Sequence, residues 1–301
     1  MKTYTDLDRI PQAPAGRAVA VGTFDGVHLG HREVIAHARA RGRAKGMAVA
    51  VVTFDPHPLH LLAPEDAPPL LTSTAVKCDL IAETGVDELV IIPFTEEFSQ
   101  LEPERFCAEV LADRLGAAFV SVGENFRFGR GASGDAETLR AQTGFETEVV
   151  PLVEHGGAPV SSTRIRELID EGDVAAAREL LGAPFLLEGV VVAGDARGRE
   201  LGIPTANLAP EPGVILPGAG VYAGRARDCG AAINVGVRPT FETSGETLVE
   251  AYLLDFEGDL YDERLRLVFL DRIRDELRFE SADELVQQMW RDVERVREIV
   301  A

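Results

Sequence analysis

Short apolar runs and helical patterns alternate through the first half of the chain. Ala18–Val21, Met47–Phe54, Glu88–Pro93, Phe119–Gly123 and Thr147–Val153 read as buried strands. Between them, Val34, Ile35 and Ala38 recur at helical spacing inside a helix expected over 32–44, and Pro103–Leu115 reads as another helix. This alternation predicts an α/β fold, a parallel sheet with helices on both faces. Ligands of such sheets sit at the C-terminal ends of the strands.

After Ala183 the pattern changes. Leu186–Val192, Val221–Ala226, Ala231–Val235, Leu248–Asp255 and Leu265–Phe269 are short strand candidates separated by Gly and Pro turns. They predict a small barrel or sandwich. A final helix is expected over 282–300, with Ser281 as its N-cap. The change of texture near Gly182–Pro184 divides the chain into expected domains 1–184 and 185–301.

Composition narrows the class. The chain has 301 residues, long enough for two domains, and 46% of them are hydrophobic. No apolar run approaches membrane-spanning length, and the N-terminus lacks the apolar stretch of a signal peptide. The three cysteines, Cys78, Cys107 and Cys229, are scattered, which suits a reducing compartment. The expectation is a soluble, cytoplasmic protein with no membrane partner. The net charge is −20: residues 1–184 carry 28 acids and 17 bases (−11), residues 185–301 carry 22 and 13 (−9). An even acidic excess argues against a nucleic-acid partner, which would call for basic patches.

The candidate chemistry begins at "GTFDGVHLGH", residues 22–31, where a strand gives way to a Gly-rich turn and a helix. A helix start offers unpaired N–H groups and partial positive charge to phosphate. Gly26 and Gly30 admit close backbone approach. His28 and His31 can donate to phosphate oxygens as charge develops at an attacked α-phosphate. The turn holds no covalent nucleophile, so catalysis there is positioning plus electrostatics. A second cluster, "SSTRIREL" (161–168), places Ser161, Ser162 and Thr163 before Arg164 and Arg166 within one turn. Hydroxyls, a helix start and arginines together suit a polyphosphate, although an ordinary capped helix would carry the same residues. "TFDPHP" (53–58) reads as a rigid turn at a strand end. Asp55 there is a loose candidate for metal or ribose contact, and His57 is either turn wall or ligand.

The second half contains no histidine, so a proton-transfer base there would be a carboxylate. In "GIPTANL" (202–208), Thr205 and Asn207 could hold Mg²⁺ or phosphate, but taken alone the segment reads more readily as a turn. Glu250 opens the apolar run Ala251–Leu254. No G-x-x-x-x-G-K-[ST] motif exists in the chain, and Asp255-Phe-Glu-Gly lacks the other protein-kinase signatures.

These motifs together resemble the bacterial bifunctional riboflavin kinase/FAD synthetase family. "GTFDGVHLGH", "TFDPHP", "VGENFRFGRGASGD" (122–135) and "SSTRIR" (161–166) are similar to its adenylyltransferase half. "GRELGIPTANL", "GVYAG" (220–224), "NVGVRPTF" (234–241) and "VEAYLLDFEGDLY" (249–261) are similar to its kinase half, in the same order. The segment 71–80 departs modestly from the family's more charged pattern, with Lys77 retained.

The resemblance implies a Rossmann-like nucleotidyltransferase sheet followed by a small antiparallel kinase barrel. It implies ATP-dependent conversion of riboflavin to FMN and of FMN to FAD with release of pyrophosphate, with Mg²⁺ as cofactor. For the adenylyltransferase it implies His28 and His31 as catalytic residues. Gly22, Phe24, Gly26, Gly30, Ser162, Thr163, Arg164 and Arg166 would bind ATP, and Asn125, Phe126 and Phe128 would lie on the flavin side. For the kinase it implies Glu250 as the base that activates the ribityl hydroxyl, Thr205 and Asn207 on Mg-ATP, and Gly198 and Gly202 shaping a phosphate loop. Three rival readings remain at this stage. One half could be silent, the chain could be another H-x-G-H nucleotidyltransferase acting on pantetheine phosphate or an aminoacyl-tRNA, or it could be a non-enzymatic flavin-binding module.

Overall fold

The computed structural model describes residues 1–194, 203–237 and 247–301. Gly198 and Gly202 lie outside the described residues. The chain forms two compact units, one of 1–68 and 74–161 and one of 69–73 and 162–301. The segment 69–73 therefore leaves the first unit, joins the second and returns.

The first unit is built on a six-stranded sheet of β1 (Lys2–Tyr4), β2 (Arg17–Val21), β3 (Ala48–Asp55), β4 (Glu88–Pro93), β5 (Ala117–Gly123) and β6 (Glu146–Val150). Every neighbouring pair is parallel, in the order β1-β4-β3-β2-β5-β6. Helix α1 (Leu29–Lys45) packs on one face through Val34, Ile35, Ala38 and Gly42. A Cβ at Gly42 would lie 3.3 Å from that of Ala18, so the glycine is what lets helix and sheet approach. The other face buries Val19, Val21, Ala50, Val52, Val120 and Val122 against Phe106, Val110 and Leu111. Each of the valine, leucine and phenylalanine side chains contributes about 1.5–3 kcal/mol on leaving water.

Three expectations needed adjustment here, and one element was not foreseen. Helix α1 begins at Leu29 rather than 32, because His28 itself is the N-cap. Strand β6 stops at Val150 rather than Val153. The strand β1 was not foreseen. The stretch expected as one helix over 103–115 is a single turn, Pro103–Arg105, followed by a π-helix, Phe106–Arg114, in which Leu115 N–H reaches back five residues to the Val110 carbonyl at 3.0 Å.

A short hairpin, β7 (Glu154–His155) and β8 (Ala158–Pro159), leads out of the first unit. In the second unit two helices, Ser162–Glu171 and Val174–Leu181, precede a closed antiparallel barrel. Its strands are β9 (Phe185–Val192), β10 (Ala206–Pro210), β11 (Gly220–Ala226), β12 (Cys229–Val237), β13 (Thr247–Leu253) and β14 (Arg264–Arg274), in the order β10-β13-β12-β11-β14-β9. Closure removes the exposed edges that a sandwich would leave. Strand β10 is the element that the turn reading of "GIPTANL" missed. Alternate residues fill the interior: Phe185, Leu187, Leu208, Tyr222, Ile233, Val249, Ala251, Leu267 and Phe269 are all buried. The terminal helix, Ala282–Val300, is N-capped by Ser281 as expected and lays Val293 and Val296 on the outer face against Ala223, Ala232 and Tyr252.

Candidate functional sites at the strand ends and on the barrel face

In the first unit the chain runs from β2 to β3 and β4 on one side of the sheet, then returns to place β5 and β6 on the other side of β2. The switch point lies between β2 and β5, where such sheets open a crevice at their C-terminal ends. "GTFDGVHLGH" leaves β2 there, "TFDPHP" ends β3, and "VGENFRFG" leaves β5. Three of the sequence motifs are thus gathered at the ends of three adjacent strands.

The first turn is tightly specified. Phe24, Gly26 and Val27 all have positive φ (50°, 82° and 43°), a conformation natural for glycine and strained for the other two. The His28 and His31 rings stack with centroids 3.6 Å apart and planes within 18°. Phe24 meets His31 edge-on at 5.3 Å. His28 Nδ1 accepts the His31 backbone N–H at 3.4 Å, so it caps α1 and keeps its proton on Nε2. The glycines fit around these rings. A Cβ at Gly22 would lie 3.1 Å from the Phe24 ring, and one at Gly30 would lie 3.2 Å from His28 Cε1. Gly30 thus makes room for an imidazole.

His28 is buried at 6% exposure. Part of His31 is accessible, but its Nδ1 is shielded and has no hydrogen-bond partner. Burial, with help from the neighbouring His28 and Lys77, holds the His31 imidazole well below the ordinary histidine range. At neutral pH it is an uncharged donor and acceptor. Val160 O lies 4.0 Å from a Cβ placed on Gly30, so the strand exit leading to Ser161 passes this turn. Ser162, Thr163, Arg164 and Arg166 open the first helix of the second unit, where Arg166 Nε donates to the Pro69 carbonyl at 2.6 Å.

Beside the turn, Asp55 accepts from the Thr74 hydroxyl at 3.1 Å. His57 N-caps Pro58–Leu62 through its Nδ1, as a turn-wall residue would. Past β5, Asn125 is exposed, Phe126 is half-buried and Phe128 is buried, with the two rings stacked at 5.5 Å. Phe128 continues through Phe106, Phe98 and Phe94 to Phe54, a run of neighbouring rings linking the ends of β5 and β3. The sequence reading missed Phe54, Phe94, Phe98 and Phe106 as members of one packed cluster, because they come from four separate stretches of the chain.

On the barrel, Asn207 of β10 stands directly opposite Glu250 of β13, and Glu250 stands directly opposite Asn234 of β12. Directly opposed residues share a face, so the three form a row. Their neighbours Leu208, Val249 and Val235 are buried inside, which puts the row on the outer face, half-buried. Thr205 precedes β10 and is half-buried. Tyr252 lies two residues along β13 from Glu250, and Trp290 of the terminal helix meets it edge-on at 6.3 Å. Asn234 escaped the sequence reading as a site residue, since only the register reveals it. Hard oxygen donors from Asn207 and Glu250 suit Mg²⁺ in kind. Among the described residues, no cluster of three or more His, Cys, Asp or Glu side chains forms a metal site.

The switch-point turn with its paired imidazoles and the barrel face with a carboxylate between two amides are the two candidate sites of an enzyme of nucleotide-dependent group transfer. Residues 10–164 match the FAD synthetase family and residues 181–300 match the riboflavin kinase family. The chain is 37% identical to the bifunctional riboflavin kinase/FMN adenylyltransferase of Escherichia coli (strain K12), covering 99% of this chain and 97% of that protein. It is 35% identical to the protein of the same name from Bacillus subtilis (strain 168), over 94% and 92% of the two chains. A crystal structure described as the macrolide-efflux protein from Streptococcus pneumoniae superposes with a TM-score of 0.86 at 34% identity, covering 98% of both chains. The chain belongs to the bifunctional riboflavin kinase/FMN adenylyltransferase family, and carries both activities. Among the described residues, no helix is long and apolar enough to cross a membrane.

Proposed function

We propose that the two activities divide between the two sites: the turn after β2 adenylates FMN, and the outer face of the barrel phosphorylates riboflavin. The observation that carries the reading is the row Asn207–Glu250–Asn234, which places one carboxylate between two neutral amides on a half-buried surface. The functional boundary proposed at 184/185 assigns residues 162–184, which belong to the second compact unit, to the adenylyltransferase domain.

In the kinase step, Glu250 takes the proton of the riboflavin 5′-hydroxyl as its oxygen attacks the γ-phosphorus of ATP and the bond to ADP breaks. Asn207 and Asn234 orient the carboxylate and hold neighbouring oxygens without adding charge. Thr205 and Asn207 would hold Mg²⁺, which when bound neutralises phosphate charge. Gly198 and Gly202 would shape the phosphate loop.

In the adenylyl step, an FMN phosphate oxygen attacks the α-phosphorus of ATP and pyrophosphate leaves. The attacking phosphate is ionised, so no base is required. His28 donates through Nε2–H and His31 through its neutral imidazole to oxygens of the attacked group, where charge builds. Gly22, Phe24, Gly26 and Gly30 hold the turn that presents them. Ser162, Thr163, Arg164 and Arg166 bind the pyrophosphate side. Asn125 contacts the flavin substrate, while Phe126 and Phe128 back its pocket. The surroundings this chemistry fits are cytoplasmic, where ATP and riboflavin are at hand, and neither a nucleic acid nor a membrane is required.

Chromatography of the protein with riboflavin, ATP and Mg²⁺ tests the reading. FMN followed by FAD is expected. FMN alone would remove the adenylyl role of the His28–His31 turn, and FAD from supplied FMN alone would remove the kinase role of Glu250.

A further inference from the structure

The chain contains 27 arginines and only three lysines. Lys2 and Lys45 are exposed, whereas Lys77 is buried at 6% exposure. It lies in the helix Thr74–Glu83, and its ammonium reaches the C-terminal ends of β2 and β3. There Nζ lies 3.4 Å from the Thr23 carbonyl and 3.4 Å from the Phe54 carbonyl. The first carbonyl belongs to "GTFDGVHLGH" and the second to "TFDPHP". Both distances are long for a charged donor, and the Thr23 carbonyl already accepts the Thr53 hydroxyl at 2.9 Å.

We propose that Lys77 is a phosphate-binding residue of the adenylyl-transfer site, seated where the phosphate of the flavin substrate meets the α-phosphate of ATP. The inference rests on the reading that the turn after β2 catalyses that reaction.

Three arguments carry it. The first is chemical. A flavin phosphate carries about −1.5 to −2 charge at neutral pH and must approach a second polyanion. His31 beside it is neutral and brings no positive charge to the point of approach. A lysine is a compact charge with three donors, fitted to a single phosphate oxygen. The second is electrostatic. Burial lowers the Lys77 pKa, and the nearby Asp25 and Asp55 oppose that shift without cancelling it. The charge is therefore held at a cost, and an incoming phosphate lowers that cost. The third is positional. The ammonium spans the ends of two adjacent strands, one leading into the His28–His31 turn and the other into the phenylalanine run that starts at Phe54. Lys77 keeps its proton throughout: the flavin phosphate oxygen bonds to the α-phosphorus, the bond to pyrophosphate breaks, and the ammonium stabilises the shared charge.

The test compares Lys77→Met and Lys77→Arg for FAD formation from FMN and ATP, with FMN formation from riboflavin measured on the same samples. Loss of one preorganised donor costs about 10²–10³ in rate. Lys77→Met is expected to lower kcat/KM for FMN by about 10²-fold, with Lys77→Arg recovering about tenfold of it and riboflavin phosphorylation unchanged in both. FAD formation by Lys77→Met within threefold of the wild type (about 0.7 kcal/mol) overturns the proposal, as does equal loss in both variants, which marks a purely structural clamp. If the wild type makes no FAD, the reading of the turn fails instead.

Should Lys77→Met fail to fold, the wild-type protein labelled with ¹⁵Nζ-lysine decides. It has three side-chain signals. FMN with α,β-methylene-ATP is expected to shift the Lys77 signal and leave those of Lys2 and Lys45 in place. An unmoved Lys77 signal overturns the proposal.

Discussion

Asn207 and Glu250 lie directly opposite one another on the paired strands β10 and β13, on the outer face of the barrel. Asn234 completes the row from the other side. Substituting Asn234 by Ala is expected to slow riboflavin phosphorylation by about tenfold, the scale of one lost hydrogen bond, and Asn207→Ala by more, since in the proposed reading Asn207 would also hold Mg²⁺. FAD formation from supplied FMN stays at the wild-type rate in both. A steady-state assay of each half-reaction checks this, and an Asn234→Ala enzyme with full kinase activity would remove Asn234 from the site.

Gly194 packs against Asn207 so closely that a Cβ there would overlap its amide. Gly194→Ala is therefore expected to displace the Asn207 side chain and lower kinase activity without touching a substrate itself. The adenylyltransferase rate measured on the same sample serves as the control for folding. Kinase activity at the wild-type level would show that Asn207 can yield without cost.

His31 binds its proton less readily in the native than in the unfolded chain. Between its depressed native value and about pH 6.5 the unfolded state holds more protons. Stability therefore rises with pH across that window and falls as pH drops through it. The melting temperature of the wild type should decline from pH 6.5 downward more steeply than that of His31→Phe. Parallel curves for the two proteins would mean that His31 titrates normally.

Arg274 of β14 makes a bidentate pair with Asp292 of the terminal helix, donating at 3.1 Å from Nε to Oδ1 and at 2.7 Å from Nη2 to Oδ2. The Asp292 and Arg274 side chains are 6% and 18% exposed, and Gln288 donates to the same carboxylate at 2.9 Å. Removing one partner strands a charge beside the barrel. Asp292→Ala is expected to cost about 3 kcal/mol, and the double variant Asp292→Leu with Arg274→Met to restore most of it. Urea unfolding measures both, and a double variant no better than the single would contradict the account.

The sequence showed most clearly the elements whose pattern is complete within one segment. Glu88–Pro93 and the capped helix 282–300 were found at their observed bounds, because an apolar run and an N-cap are local signals. Strand β10 was hidden because Ala206–Pro210 buries only Leu208 and ends in proline, so nothing in it alternates. The π-helix was hidden because its buried positions keep a helical look while its hydrogen bonds shift by one residue. At the candidate sites, His28, His31, Asn207 and Glu250 stood out as residue types in motifs. Asn234 did not, and Lys77 was noted only as the retained residue of the segment 71–80, with no role. An asparagine becomes conspicuous only through strand register, and a lone lysine in a helix reads as solvated until the fold shows it buried.

The central claim is that the chain has two independent sites, and a crossed assay tests it most directly. His28→Ala and Glu250→Ala are each given riboflavin with ATP and Mg²⁺, and separately FMN with ATP and Mg²⁺, and the flavins are separated by chromatography. The account predicts that His28→Ala makes FMN but no FAD from either substrate. It predicts that Glu250→Ala makes nothing from riboflavin and FAD from FMN. Loss of both products in either variant, with the melting temperature of the wild type retained, would contradict the division of the two reactions between the strand-end turn and the barrel face.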